Sequence, residues 1–197
     1  MRRSGLFAAL SAFALITAAC TPEKQIVSTP APVPQPVVNS SPYVCKLIPE
    51  QAFRTISGIT APLVERINGT ENNGDCRAPD ASTPRLGVWW AREGSGMPRE
   101  HMDFLMHEDR RPLYSRYGGI SLPPDLGDGM AAYVRSAPFA DQPYRVSALF
   151  RCGAKERMID IYLPQVAKGR DAIKDMIELM RIAQKRYGEL YNCTPGK

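Results

Sequence analysis

Apolar and polar side chains alternate along residues 144–152, a pattern typical of a β-strand with one buried face. The residues predicted on its two faces are Tyr144, Val146, Ala148 and Phe150 on one side, and Arg145, Ser147 and Arg151 on the other. After a turn at residues 153–156, the alternation resumes over residues 157–163. Two alternating runs joined by a glycine-containing turn predict an antiparallel hairpin.

Residues 168–191 follow a different period. Apolar side chains recur there every three or four positions, as on one face of an amphipathic helix. The stripe consists of Ile173, Met176, Ile177, Met180, Ala183, Tyr187 and Leu190. Charged residues occupy much of the remaining surface of this helix. The pattern predicts a long C-terminal helix whose stripe packs on a sheet.

Shorter segments carry the same two patterns. They predict, in chain order, a helix over 49–57, a strand over 86–91, a helix over 99–110 and a strand over 130–136. Gly58 and Pro112 are expected to end the two helices. The predicted fold class is therefore α+β, with an antiparallel sheet covered by the long C-terminal helix and by shorter helices.

The first twenty residues carry an export pattern. Arg2 and Arg3 precede an uncharged stretch, residues 6–19, which is too short to span a bilayer core of about 30 Å. Small residues then lead directly to Cys20, as at the cleavage site of a bacterial lipoprotein. We predict that residues 1–19 are removed and that Cys20 is lipidated, with palmitate as one acyl group. The alternative is a plain signal peptide followed by an unmodified cysteine.

A proline-rich segment follows the predicted lipidation site. Six prolines lie within residues 21–42, and each removes a backbone hydrogen-bond donor, so we expect neither helix nor sheet there. We interpret residues 20–42 as the lipidated cysteine and a tether, which in polyproline form would reach about 60–70 Å. The alternative is a proline-rich ligand for the groove of a partner. Residues 43–197 then form one extracytoplasmic domain.

The composition supports one globular domain and adds little else. The chain has 197 residues, of which 44% are hydrophobic and 23% charged. Its net charge is +5, and removal of Arg2 and Arg3 with the signal peptide would leave +3. A charge this small and scattered does not indicate nucleic-acid binding.

Four cysteines remain when Cys20 is set aside. An even number of cysteines in an exported chain indicates two disulfides, and four cysteines allow three pairings. We predict the pairs Cys45–Cys76 and Cys152–Cys193, since the first closes the N-terminal helix and loop region. The second would tie the start of the hairpin turn to the end of the C-terminal helix. A metal site is the weaker alternative, because the sequence has no CxxC pair and no histidine beside these cysteines.

Several short motifs occur in a recognisable order. They are the lipobox at Cys20, the proline-rich segment, Cys45 before a helix ending at Ser57 and Gly58, Cys76, the segments 122–129, 150–153 and 168–171, the long helix and Cys193. In this order they resemble the actinobacterial lipoproteins that carry a secreted domain of unknown function, related in fold to the sandwich of the PsbP and Mog1 proteins. The resemblance covers about residues 43–194. It implies four structural cysteines and a cell-envelope location, and it supplies no catalytic residues.

Candidate catalytic and metal-binding groups are few. His101 and His107 are six residues apart and point about 120° away from each other on a helix, which does not suit one shared metal ion. We predict no metal site, no cofactor and no catalysis. The alternative is an envelope hydrolase that uses Asp125 and Asp128 as a carboxylate pair, which requires both carboxyl groups about 5–10 Å apart across one cleft.

Two adjacent tryptophans indicate a candidate ligand face. Trp89 and Trp90 lie on one predicted strand, so their side chains point to opposite faces of the sheet. One of them then faces solvent, a second helix layer or a ligand, and Arg145 and Arg151 are candidates to line the same surface. We predict a lipid-anchored binding or accessory domain at the outer face of the cell membrane. Its ligand could be a protein, a lipid or a glycan.

Overall fold

The computed structural model of the protein describes residues 34–78, 86–94 and 96–196. The predicted signal peptide, the predicted lipidation site Cys20 and the first part of the predicted tether lie outside these residues. Over the ranges described, no helix combines the length and the apolar character needed to cross a bilayer.

Strands and helices alternate along the described chain. The strands are β1 (Tyr43–Val44), β2 (Ile48–Pro49), β3 (Arg66–Gly69), β4 (Asn73–Ala78), β5 (Leu86–Arg92), β6 (Ile120–Ser121), β7 (Asp128–Tyr133), β8 (Tyr144–Cys152), β9 (Lys155–Leu163) and β10 (Pro195–Gly196). The helical segments are α1 (Glu50–Ser57), α2 (Arg99–Phe104), a π-helical segment (Leu105–Arg110), α3 (Arg111–Arg116), a 3-10 turn (Pro124–Leu126) and α4 (Ala172–Tyr191). The predicted α+β class is confirmed.

One antiparallel sheet organises the domain. Its strand order is β3-β4-β5-β9-β8-β7-β6, and β10 pairs with the end of β8. The predicted hairpin is confirmed as β8 and β9, which are joined by a two-residue turn because Cys152 pairs with Lys155. Gly153 starts this turn with a positive φ of 68°, a conformation that glycine adopts without steric cost.

The first face of the sheet packs against α4 and α1. Asp171 caps α4 by accepting a hydrogen bond from the backbone of Lys174, so the helix begins at Ala172 rather than at residue 168. Most of the predicted stripe is buried, but Leu190 is exposed, whereas Leu179 and Ile182 are buried. The buried face of α4 is therefore broader than the predicted stripe and does not extend to Leu190 at its C-terminal end.

The second face of the sheet packs against the helical segments between residues 99 and 116. The predicted helix end before Pro112 is wrong, because helical structure continues to Arg116. The π-helical segment precedes Pro112, and the Arg111 N–H donates to the Met106 carbonyl five residues earlier. This wider turn relaxes the clash between a proline ring and the carbonyl four residues before it.

Strand β7 also differs from the prediction. It covers Asp128–Tyr133 instead of residues 130–136. The chain turns after this strand, because the Phe139 N–H donates to the Ser136 carbonyl and the Gln142 N–H donates to the Phe139 carbonyl. Residues 136–142 therefore form a loop that returns the chain to β8.

Two disulfides connect distant parts of the domain. Cys45 is bonded to Cys76 and Cys152 to Cys193, with Cα–Cα distances of 5.5 and 5.4 Å. Both predicted pairs are confirmed. The first joins the N-terminal region to β4, and the second joins the end of β8 to the segment after α4.

The last part of the predicted tether already contacts the domain. Val37 packs against the main core, and the Arg170 guanidinium donates to the carbonyl of Gln35 at 2.8 Å. Arg170 is itself fixed by Asp175, whose two carboxylate oxygens accept from its Nε and Nη2. The compact unit thus includes residues that precede the predicted boundary at Tyr43.

Candidate functional site

On the second face of the sheet, two rows of residues run across the strands β4, β5, β9 and β8. Strand register places one residue from each strand in each row. The first row is Arg77, Gly87, Tyr162 and Arg145, and the second is Asp75, Trp89, Asp160 and Ser147. Most of these residues are polar or aromatic, in contrast to the apolar first face.

The described helical layer covers two parts of this second face, one at β7 through α3 and one at the far end of β5, β8 and β9. Beyond the two rows, Ala91, Met158 and Leu149 pack against three methionines of the helical side, Met97, Met102 and Met106. Over the first row and over Asp75 and Trp89 of the second, the surface instead forms a recess of about 370 Å³. Its walls come from Arg110 of the helical layer and from Pro138, Asp141 and Gln142 of the loop between β7 and β8.

A buried polar cluster lies beneath the recess. Asp160 is completely buried, and its Oδ2 accepts hydrogen bonds from Arg110 Nη2 at 2.8 Å and from the Tyr162 hydroxyl at 2.6 Å. Its Oδ1 has no partner among the described residues. Beside it, the hydroxyls of Tyr114 and Ser147 share a hydrogen bond of 2.8 Å. These contacts join the sheet to the helical layer through charged and hydroxyl groups.

The cluster shifts the pKa values of Tyr162, Tyr114 and Arg110. Burial raises the pKa of Tyr162 well above its ordinary value, and the nearby Asp160 carboxylate raises it further. Burial also raises the pKa of Tyr114, with a smaller contribution from Asp160. For Arg110, burial alone would lower the pKa, but Asp160 reverses the effect and the net shift is upward. Both phenols therefore stay neutral and the guanidinium stays charged at physiological pH.

Arg145 is held in place between two rings. Its guanidinium carbon lies 4.2 Å from the ring centroid of Tyr162 on one side and 4.2 Å from that of Phe139 on the other. Its Nε donates to the carbonyl of Gln142 at 3.1 Å. Arg145 forms no ion pair with a carboxylate of the described residues. Its remaining donors are therefore available to the recess that it lines.

Gln142 covers the only glycine in the floor of the recess. A Cβ on Gly87 would lie 3.0 Å from Gln142 Nε2 and 3.1 Å from the Tyr162 ring, so the close packing depends on the missing side chain. The Gln142 Nε2 is buried and has no acceptor among the described residues. This amide donor keeps unused hydrogen-bonding capacity, but the atom is covered by protein rather than presented to the recess.

The structure brings together two of the four residues of the candidate ligand face. Trp89 and Arg145 both line the recess. Trp90 points to the opposite face, where it is 3% exposed within the main core and its indole donates to the carbonyl of Thr70. Arg151 is exposed and lines a different groove. The four residues therefore do not share one surface, because alternation along β5 separates the tryptophans and Arg151 lies six residues after Arg145 on β8.

Asp125 and Asp128 have partners in different layers of the fold. The Asp125 carboxylate pairs with Arg181 of α4, on the first face of the sheet. The Asp128 carboxylate pairs with Arg111 and lies 3.4 Å from His107 Nε2, on the second face. This arrangement lends no support to a hydrolase that uses the two carboxylates together.

Metal-ligating groups cluster at one place among the described residues. Cys45, Glu65 and Cys76 lie close together, but both sulfur atoms are committed to a disulfide. The Glu65 carboxylate accepts a hydrogen bond from the backbone of Cys45 at 2.6 Å. His101 and His107 are not part of this group.

The candidate ligand face predicted from the sequence did not include three residues that build the site. Arg110, Asp160 and Tyr162 appear in the sequence as ordinary members of an amphipathic helix and an alternating strand. Asp160 and Tyr162 do share one face of β9, opposite Ile159 and Ile161, which was the available signal. Nothing in the local pattern indicated that Arg110 would reach Asp160 from fifty residues away.

Comparisons with family models, curated proteins and solved structures found no match for this chain.

Proposed function

We propose that this protein is an exported, lipid-anchored domain that binds a ligand in the recess lined by Trp89 and Arg145 and does not transform it. Export and anchoring are supported by the sequence that ends at Cys20. They are also supported by the two disulfides, since paired cysteines are typical of oxidising compartments outside the cytoplasm.

The single observation that carries the binding proposal is the recess on the second face of the sheet, where the described residues leave Trp89 and Arg145 partly exposed. Elsewhere on this face, methionines of the helical side cover the sheet. At the recess, the described residues leave Trp89 and Arg145 only partly buried, and Arg145 has no carboxylate partner among them. Trp89 also packs against the methionine cluster, and the Arg110 guanidinium carbon lies 6.0 Å from its ring centroid. Small-molecule sites combine apolar walls with a few fixed polar groups in this way.

The chemistry of the recess favours binding over catalysis. A general acid or base needs a pKa near the working pH. Tyr162 and Arg110 have pKa values raised away from that range, and the Asp160 carboxylate is buried beneath them. Groups in fixed charge states can hold and orient a ligand, but they exchange protons poorly.

Site-specific photo-crosslinking in intact producing cells would test the binding site. A photoreactive residue at Asp141, on the exposed rim of the recess, should form an adduct of defined mass on the full-length protein. The same residue at Lys185, exposed on α4, is the matched control and should not form it. Equal adducts at both positions, or none at position 141, would contradict the proposed site.

Anchoring needs its own experiment. Metabolic labelling with palmitate should label the wild-type protein and not the Cys20→Ala variant, and fractionation should release that variant from the membrane. Label retained on the variant would show that Cys20 is not the lipidation site.

A further inference from the structure

We infer that the recess recognises a sugar acid, that is, a hydroxylated ring that carries one carboxylate. This inference rests on the proposed function, because it names the ligand chemistry of the same site. It starts from Arg145, which lines the recess and donates from Nε to the Gln142 carbonyl, while its terminal nitrogens have no hydrogen-bond partner among the described residues. A guanidinium presents paired N–H donors that match the two oxygens of a carboxylate.

The stacking of Arg145 strengthens this recognition. An arginine side chain normally loses considerable rotamer freedom when it binds a ligand. Here the rings of Phe139 and Tyr162 already hold the guanidinium from both sides, each at 4.2 Å. Tyr162 is in turn fixed by its hydrogen bond to the buried Asp160. The Arg145 side chain is therefore already ordered in the free protein, and less conformational entropy is lost when a ligand binds, which favours affinity.

The other charges of the recess limit the ligand to one negative charge. Arg110 is paired with Asp160 and Asp109, and Arg77 lies 3.7 Å from Asp75. Asp141 adds a further carboxylate to the wall. This carboxylate would repel a dianionic phosphate or a polyanion in the recess more strongly than a ligand with one negative charge. A ligand with one carboxylate can bind the Arg145 guanidinium through that group, while hydroxyl groups on its ring donate hydrogen bonds to Asp141.

The shape of the recess suits a ring. At Gly87 the Gln142 amide and the Tyr162 ring fill the place of a side chain. The aromatic surface available to a ligand ring therefore comes from Trp89, whose indole is half-buried in the lining of the recess. The negative face of an aromatic ring attracts the C–H groups of a saccharide. The recess holds about 370 Å³, near the lower end of the range for ligand pockets, which indicates a ligand of one or two rings.

Isothermal titration calorimetry of the full-length protein with three probes would test the charge requirement. The probes are sodium glucuronate, its neutral isostere glucuronamide, and glucose 6-phosphate. Glucuronate should bind at least about tenfold more tightly than the other two. Glucuronamide lacks the charge that strengthens a hydrogen bond to Arg145, and glucose 6-phosphate carries a second charge that Asp141 repels. Undetectable glucuronate binding, or equal affinity for glucuronamide, would overturn the inference.

Three variants assign the effect to the recess. Arg145→Gln should weaken glucuronate binding at least about tenfold, whereas Arg151→Gln, an exposed arginine on the same strand, should leave it unchanged. Asp141→Asn changes an exposed rim residue and should reduce the discrimination against glucose 6-phosphate. An unchanged affinity in Arg145→Gln, or an equal loss in Arg151→Gln, would contradict the assignment.

The two proposals can fail separately. An adduct at position 141 without glucuronate binding would leave the recess as a ligand site and remove the sugar acid as its ligand. If no adduct forms at position 141 but glucuronate binding depends on Arg145, the recess does recognise a sugar acid. The proposal that a ligand occupies the recess in the cell is then wrong.

Discussion

The Arg110 guanidinium reaches the Asp160 carboxylate across the interface between the helical layer and the sheet, at 2.8 Å. Asp160 is completely buried and Arg110 is mostly buried, so neither charge is screened effectively by water. Removal of one partner from a buried pair leaves an uncompensated charge. We expect Asp160→Asn to lower the free energy of unfolding by about 3–5 kcal/mol, as measured by chemical denaturation.

Asp109 provides a matched control for this prediction. It pairs with the same guanidinium, but its side chain is half exposed. Asp109→Asn should change stability by no more than about 1 kcal/mol, since exposed ion pairs contribute little. Similar losses of free energy of unfolding in both variants would show that burial does not make the Arg110–Asp160 pair more important for stability than the exposed pair.

The second prediction concerns alkaline stability. The unfolded chain releases the phenol proton of Tyr114 above its ordinary pKa of 10.0, whereas the raised pKa in the folded state retains it. The unfolded state therefore binds fewer protons, and the free energy of unfolding falls as pH rises above about 10, by about 1.4 kcal/mol per pH unit for such a group. Denaturation series on either side of pH 10 should show a smaller decrease for Tyr114→Phe.

Ser147→Ala separates the titration of Tyr114 from its hydrogen bond. This variant removes the bond between the two hydroxyls but keeps the phenol. It should lower stability by about 1 kcal/mol at neutral pH while the alkaline decrease remains. A wild-type pH dependence in Tyr114→Phe would assign that decrease to other groups.

The third prediction concerns the tight approach of β7 to β8. A Cβ on Gly129 would overlap the Ser147 carbonyl oxygen and lie 2.6 Å from Leu122 Cδ1. Because the backbone of β8 cannot move freely, Gly129→Ala should destabilise the domain by about 2–3 kcal/mol. Gly196→Ala is the control, since a Cβ there meets nothing within 4 Å, and its melting temperature should match the wild type. A stable Gly129→Ala variant would mean that the two strands can separate locally.

The fourth prediction concerns the two disulfides. The sequence separations are 31 residues for Cys45–Cys76 and 41 for Cys152–Cys193. In the chain-entropy description, loss of either bond costs about 3–4 kcal/mol, so each double Cys→Ala variant should unfold at lower denaturant concentration. Peptide mass spectrometry without reduction should recover these two linked pairs from the exported protein. Free thiols or other pairings would contradict the structure.

Local pattern was sufficient for some of this fold. The β8–β9 hairpin and α4 each carry their own periodicity, and the opposite directions of Trp89 and Trp90 follow from the alternation of any strand. The helix past Pro112 was not predictable in the same way, because a wider π-helical turn accommodates the proline. Sequence spacing alone does not indicate where such a turn forms.

The recess depends on information that local patterns do not contain. Its floor follows from the register of four strands, which places Tyr162 of β9 directly opposite Arg145 of β8 and Gly87 of β5. Its walls come from a helix and a loop distant in sequence, represented by Arg110 and Gln142. Individual residues could be nominated from the sequence, as Trp89 and Arg145 were, but the choice among them required the three-dimensional arrangement.

The contact between Arg170 and the Gln35 carbonyl would shorten any tether that leads from Cys20 to the domain. If the chain is anchored at Cys20, only residues 20–33 precede the docked segment, and in polyproline conformation they extend about 43 Å. This is well short of the distance that the whole proline-rich segment would allow. The recess would then sample a restricted volume next to the bilayer, where tethering raises its effective concentration toward ligands held at the same surface.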